Sequence, residues 1–122
     1  MKPHPTLLKS FGHATRGILA ALRTERNIRV QLAAAAAAVT LGFLLRLTVM
    51  EWAAVLLCCA MVLGAELMNT AVETVVDLVS PGRNELAGRA KDLAAGAVWL
   101  TALAAAAVGV LVFGRAAGRM FG

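Results

Sequence analysis

Four polar residues in the middle of the chain have side chains suited to metal and phosphate chemistry: Glu66, Asn69, Glu73 and Asp77. They follow a run from Trp52 to Ala65 that carries no charge. At about 100° per residue in a helix, all four lie within about 60° of Glu66 around the axis. The opposite side of this helix is apolar, with Leu67, Met68, Val72, Val75 and Val76. An acidic stripe on an apolar helix indicates a functional site, because acids are costly at lipid depth.

These residue types favour phosphoryl transfer. Carboxylate and carboxamide oxygens suit Mg²⁺, which typically takes one or two carboxylates together with phosphates. Lys91, followed by Asp92, could neutralise phosphate oxygens, and a carboxyl held at the water boundary could act as a general base. Phosphoryl transfer needs positioning, charge neutralisation and an oriented nucleophile. The chain has neither a P-loop pattern nor a kinase glycine-rich loop, so a nucleotide site would be of another kind.

The composition indicates one integral-membrane domain covering residues 1–122. The chain is 60% hydrophobic and has no Tyr, whereas soluble domains are about 45–50% apolar. The net charge of +5 comes from basic residues that flank apolar segments without interleaved aromatics. We therefore expect no nucleic-acid partner. Cys58 and Cys59 are adjacent in an apolar run and lack metal or redox spacing, so we expect them to serve packing alone.

The apolar pattern predicts an all-α fold of four helices. Residues 6–24 form an amphipathic helix, because Leu7, Phe11, Ile18 and Leu22 share one face and basic residues occupy the other. Such a helix suits an anionic membrane surface, although a soluble core helix is the alternative. Membrane helices are expected at about 29–48, 51–79 and 91–114. Residues 48–51 are predicted to form a tight turn, and residues 83–92 a polar connector.

The positive-inside rule predicts the orientation. An N-terminus inside places nine of the 12 Lys and Arg residues inside and three outside. Counted from Glu51 at about 1.5 Å per residue, Glu66 lies about 22 Å and Glu73 about 33 Å along the helix. The hydrocarbon is about 30 Å thick, so Glu66 is expected just inside its inner boundary and Glu73 just beyond it. The alternative for Glu66 is a structural hydrogen bond between helices.

The pattern Glu66-x-x-Asn69-Thr70-Ala71-Val72-Glu73-x-x-Val76-Asp77, followed by Glu85-Leu86-Ala87-Gly88-Arg89-Ala90-Lys91-Asp92, resembles the signature of the small prokaryotic diacylglycerol kinase/undecaprenol kinase family. The likeness extends to Gly17, the Glu25-Arg26-Asn27 joint and Glu51-Trp52. The resemblance implies a homotrimer of three-span protomers with a surface helix and active sites shared between neighbours.

The resemblance also implies roles for individual residues. Glu66 would be the catalytic base, Asn69 would support the phosphate end, and Asp77 would orient the connector. Glu25 and Glu73 would bind the metal. The remaining residues would contact nucleotide: Lys91, Asp92, Gly82, Arg83, Asn84 and His13. Asn84 stands where the family commonly has His, and His13 where an aromatic can sit, which leaves the nucleotide-base contacts open.

A physical argument also favours an oligomer. Three thin, Ala-rich helices should not cover a polar face that spans several turns, and lipid does not satisfy polar groups. We therefore expect a lipid kinase of the bacterial inner membrane that uses ATP and Mg²⁺. Its substrate is a membrane lipid alcohol, with undecaprenol favoured over diacylglycerol. The alternative is a small oligomeric transporter with Glu66 as its ion-coupling acid.

Overall fold

The computed structural model describes residues 6–122 as four α-helices: α1 (Leu7–Thr24), α2 (Arg26–Leu44), α3 (Val49–Val79) and α4 (Glu85–Phe121). The all-helical prediction is therefore confirmed. Within the described residues, α2, α3 and α4 are long and apolar enough to cross a membrane. Lys2, which the orientation count includes, lies outside the described residues.

The connector between α3 and α4 is shorter than predicted. Residues 83–92 were expected to be a polar connector, yet α4 already begins at Glu85. Glu, Leu, Ala, Arg and Lys are good helix formers, so polarity alone did not mark a loop here. Asn84 caps this helix, because its Oδ1 accepts hydrogen bonds from the backbone N–H groups of Leu86 at 2.9 Å and Ala87 at 3.2 Å.

The joint between α2 and α3 is tightly built. Arg46 adopts a positive φ of 55°, and the N–H groups of Arg46 and Leu47 donate to the carbonyls of Phe43 and Gly42. This is the Schellman arrangement that ends many helices, with Arg where glycine is usual. Thr48 and Glu51 then form a reciprocal capping box at the start of α3. The predicted tight turn is confirmed, although it lies a few residues earlier than expected.

Helix α3 is the central element, because it packs against all three other helices. Its buried residues are Val55, Val62, Glu66 and Asn69, at spacings of seven, four and three residues. This spacing places them on one helix face. The apolar packing face of the first half of α3 therefore continues directly into the polar stripe of its second half.

Two ion pairs hold α3 and α4 antiparallel along their length. Lys91 Nζ donates to Asp77 Oδ1 at 2.6 Å near one end, and Arg119 Nη1 donates to Glu51 Oε2 at 2.9 Å near the other. Asp77 and Glu51 are 26 residues apart, and Lys91 and Arg119 are 28 apart. The matching spans show that the two helices keep one register over about 40 Å.

Helix α2 is set against α3 by a close contact at Gly42. A Cβ atom at this position would lie 2.7 Å from Trp52 Cη2 and 3.0 Å from Leu47 Cδ1. The ring of Trp52 also packs against that of Phe43, with centroids 4.7 Å apart. Only glycine lets the two helices approach this closely, so Gly42 determines the register between α2 and α3.

We predict that Gly42→Ala lowers the free energy of unfolding by about 1–3 kcal/mol, because the added methyl group overpacks the contact with Trp52. The measurement is denaturant unfolding in mixed micelles. Gly64→Ala in α3 is the matched control: a Cβ there meets nothing within 4 Å, so this variant should be neutral or slightly stabilising. Equal stability of both variants would contradict the proposed role of Gly42.

Candidate functional site

The polar stripe of α3 becomes more exposed from Glu66 to Asp77. Glu66 is 3% exposed and Asn69 is 8% exposed, whereas Glu73 is half-buried and the side chain of Asp77 is 63% exposed. The order of exposure agrees with the depths expected from counting residues along the helix. The site therefore has a buried end at Glu66 and an open end at Asp77.

Asn69 and Glu73 form the middle of the site. Asn69 Nδ2 donates to Glu73 Oε1 at 3.2 Å, one helical turn away. Asn69 Oδ1 is buried and is, within residues 6–122, the one buried side-chain polar atom without a hydrogen-bond partner. Unsatisfied buried acceptors are rare in folded proteins and indicate a missing donor or cation. The amide thus holds Glu73 in place and directs a free acceptor into the site.

Glu66 is buried without a side-chain partner. In the part of the chain described, no donor lies within hydrogen-bond distance of its carboxyl group, and its backbone carbonyl accepts from Thr70 Oγ1 at 3.0 Å. A structural hydrogen bond between helices was the alternative reading of Glu66, and no such bond is formed within this protomer. A carboxyl without partners is costly in a helix core, which supports a chemical role.

Glu25 lies in the joint between α1 and α2, and the helix register brings it to the level of Asn69. Glu25 precedes Gly42 by the same number of residues as Asn69 follows Trp52, 17 in each case. Because α2 and α3 run antiparallel from the Gly42–Trp52 contact, equal counts give equal depth. Arg29 stabilises the joint by donating to the carbonyls of Leu22 at 3.1 Å and Arg23 at 3.2 Å.

The acidic residues fit a magnesium–phosphate complex better than a metal bound by protein alone. No group of three or more His, Cys, Asp or Glu side chains that could hold a metal occurs in residues 6–122. Mg²⁺ needs only one or two carboxylates when phosphates and water complete its coordination. Glu73, the unpartnered Asn69 Oδ1 and Glu25, which makes no cap bond to α2, are suitable oxygen donors.

The predicted nucleotide residues occupy different surroundings. Lys91 pairs with Asp77, and Asp92 is exposed beside it at the start of α4. Gly82 and Arg83 are exposed in the short loop between α3 and α4. His13 is separate: its Nδ1 accepts a hydrogen bond from Arg16 Nη2 at 2.6 Å on the exposed surface of α1.

A recess between α1 and α3 adjoins the site. It measures about 350 Å³ and lies between Gly17 and Ala21 of α1 and Leu67 and Thr70 of α3. Thr70 neighbours Asn69 in sequence, so the recess opens near the level of the site. Sequence analysis missed this recess, although the small residues at Ala14, Gly17 and Ala21 were a signal for a close helix contact.

The physical argument for an oligomer needs correction. We expected that the helices of one protomer would not cover the polar face of α3. A single chain already buries Glu66 and Asn69, because both lie on the packing face of the central helix. Only Glu73 and Asp77 are left partly or largely open, so the need to cover the stripe no longer argues strongly for a partner.

Comparison with known proteins defines the class. The chain is 45% identical over 105 residues to an undecaprenol kinase of Bacillus subtilis, covering 86% of this chain and 85% of the relative. It is 45% identical over 106 residues to a diacylglycerol kinase of Synechocystis, covering 86% of this chain and 61% of that protein. It is 29% identical over 99 residues to a diacylglycerol kinase of Escherichia coli K12, covering 81% of each. With three apolar helices long enough to span a membrane, the protein is a membrane lipid kinase.

The family follows from the length of the match. The sequence profile described as prokaryotic diacylglycerol kinase matches residues 12–113, which include all four helices and the whole acidic stripe. The chain belongs to the prokaryotic diacylglycerol kinase family. The resemblance noted from the motif is thereby confirmed, together with the lipid kinase activity that it implied.

The burial gradient predicts graded reactivity along α3. In a Cys58→Ala, Cys59→Ala background, single cysteines at positions 66, 69, 73 and 77 should react with a membrane-impermeant maleimide at rates that rise in that order. Gly118→Cys, near the opposite end of α4, is the control and should react only from the other side of the membrane. Fastest labelling at position 66 would contradict the placement of the buried end.

Proposed function

We propose that this protein transfers the γ-phosphoryl group of ATP to the hydroxyl of a membrane lipid alcohol, with undecaprenol preferred over diacylglycerol. The observation that carries the proposal is the buried, unpartnered Glu66 one turn from the Asn69–Glu73 pair. The undecaprenol kinase of Bacillus subtilis supports the substrate choice, because the match covers 85% of that relative. The equally identical Synechocystis diacylglycerol kinase is matched over only 61% of its length.

The positions of the residues suggest how they divide the reaction. Glu66, at the buried end, accepts the proton of the lipid hydroxyl as its oxygen attacks the γ-phosphorus and the bond to the leaving ADP breaks. Asn69 holds Glu73 and directs its free oxygen towards the phosphates. Glu25 and Glu73 would hold Mg²⁺, which when bound neutralises phosphate charge.

The nucleotide would lie at the open end of the site. Lys91 and Asp92 begin α4 there, beside the loop that carries Gly82 and Arg83. Asp77 acts as a positioning residue, because its carboxylate holds the Lys91 ammonium at 2.6 Å. Asn84 contributes to this end by capping α4, and this leaves only its amide nitrogen for a nucleotide. His13 would join the site only through a rearrangement of its contact with Arg16.

The setting we propose is the bacterial inner membrane, with the N-terminus and the site on the cytoplasmic side. The excess of Lys and Arg at this end of the helices supports that orientation. Helix α1 would lie on the membrane surface, since Leu7, Phe11 and Ile18 are exposed on its apolar face. A homotrimer is proposed from the family resemblance alone. The transporter alternative gains no support from the relatives, all of which are kinases by name.

We predict that Glu66→Gln abolishes lipid phosphorylation, with a loss of at least about a hundredfold in kcat, because general bases contribute about 10²–10⁴-fold. The variant should still bind a nonhydrolysable ATP analogue. The assay is transfer of labelled phosphate from Mg-ATP to undecaprenol and, side by side, to diacylglycerol. Normal turnover by Glu66→Gln would remove the assigned role, and ion flux without ATP would favour a transporter.

A second prediction separates the metal site from the base. Glu73→Ala should raise the Mg²⁺ concentration needed for half-maximal activity, because it removes one carboxylate from the proposed ligands. A titration of activity with MgCl₂ at saturating ATP measures this shift. An unchanged Mg²⁺ requirement in an active, folded Glu73→Ala protein would exclude Glu73 as a ligand.

The two ion pairs between α3 and α4 provide a matched comparison. Asp77→Asn should raise the KM for ATP several-fold by releasing Lys91, while the free energy of unfolding changes by less than about 1 kcal/mol, as for exposed pairs. Glu51→Gln breaks the pair with Arg119 at the opposite end and should leave the KM for ATP unchanged. Equal effects of both variants on this KM would show that Asp77 acts only through stability.

A further inference from the structure

An apolar groove lies between α2, α3 and α4, on the far side of Glu66 from the open end of the site. It measures about 250 Å³. Its walls are formed mainly by small side chains, including Ala35 and Ala38 of α2 and Ala105 and Ala106 of α4. Val55 and Val62 of α3 form its floor. Gln31 is the one lining residue with a polar side chain that is neither a thiol nor a hydroxyl.

The groove runs along the membrane normal and ends next to the site. Its lining proceeds from Gln31 to Ala38 along α2 and from Val62 back to Val55 along α3, as the antiparallel register requires. Val62 is buried on the same face as Glu66 and precedes it by one helical turn, about 6 Å. A molecule that lies in the groove and extends past Val62 therefore meets the carboxyl group of Glu66.

We propose that this groove holds the hydroxyl-proximal part of the single isoprenoid chain of the lipid alcohol, so that its terminal hydroxyl reaches Glu66. This inference rests on the proposed function and specifies how that site selects its substrate. The apolar lining suits a hydrocarbon chain, and the continuity of the Val62 face with Glu66 determines which end of the chain is inside. The volume is below the 300–1,000 Å³ typical of small-molecule pockets, so the groove suits one chain rather than two.

The small side chains of the walls explain why a branched chain fits. Ala34, Ala35 and Ala38 on one wall and Ala102, Ala105 and Ala106 on the other leave space beside the chain for methyl branches. Phe113 lies at the end of the groove farthest from Glu66, near the core around Val55 and Ala116. The remainder of a long polyprenol would leave the groove sideways into the lipid.

The test uses a polyprenol analogue that carries a photoreactive diazirine in its second isoprene unit. Irradiated with the full-length protein in membranes without ATP, it should label the peptides that contain Val55–Val62 or Ala102–Gly109. Excess undecaprenol should suppress this labelling. Labelling confined to the recess between α1 and α3, or to lipid-facing residues, would overturn the proposal.

Matched variants test the same point by activity. Ala105→Leu fills the groove and should raise the KM for polyprenol about tenfold, equivalent to about 1.4 kcal/mol, with the KM for ATP unchanged. Ala104→Leu, on an exposed face of the same helix, should change neither value by more than about twofold. The pair Ala35→Leu and Ala37→Leu repeats the comparison on α2, in case Ala105→Leu does not fold.

The outcomes separate this inference from the proposed function. Wild-type protein that phosphorylates no lipid alcohol would refute the kinase reaction on such substrates, whereas the photolabelling result does not depend on turnover. Active enzyme with equal polyprenol KM values in the groove and control variants would overturn the groove proposal alone. A change in oligomeric size of Ala105→Leu, without a change in KM, would show that a second copy of this chain occupies the groove and would also overturn it.

Discussion

The structure depends on the cost of placing a carboxyl group inside an apolar helix bundle. Glu66 is on the packing face of α3, in the position that Val55 and Val62 occupy earlier in the same helix. A hydrophobic residue there would extend the core without cost, whereas an unpartnered acid costs free energy that packing elsewhere must offset. Its retention at the end of an apolar groove and beside Asn69 is explained by the chemistry of a lipid kinase, which needs a base where hydrocarbon meets water.

The rest of the fold keeps this acid at the correct depth. Close contact at Gly42 sets α2 against α3 and brings Glu25 to the level of Asn69. The pair between Asp77 and Lys91 sets the start of α4 against the open end of the site. Both contacts act along the helix axes, so they determine relative depth more than separation. A site that joins a water-soluble nucleotide to a lipid requires this control of depth.

Much of this arrangement could be predicted from the sequence. Helical periodicity placed Glu66, Asn69 and Glu73 on one face, and the run from Trp52 to Ala65 showed that this face begins within the membrane. The roles drawn from the family motif depended on recognised residues rather than on geometry. Those roles stay predictions for Glu25, Lys91 and Asp92, while the fold and the lipid kinase class are established.

The remainder depended on packing between helices. Polarity suggested a loop at residues 85–92, where helix-forming residues and the Asn84 cap extend α4. The groove could not be predicted, because it is a gap between three helices whose register was unknown. The partner of Arg119 also lay outside reach, since Glu51 is 68 residues away in sequence. Coverage of Glu66 within one protomer was missed because α3 was not recognised as the central helix.

The most direct test of the account is the distance from a bound metal–nucleotide to the far end of α3. Mn²⁺ with a nonhydrolysable ATP analogue replaces Mg-ATP, and a nitroxide is attached at the exposed Met50→Cys in the cysteine-free background. Met50 precedes Glu73 by 23 residues, so pulsed electron–electron spectroscopy should give a distance of about 35 Å. A distance near 15 Å would place the nucleotide at the Glu51 end and contradict the account.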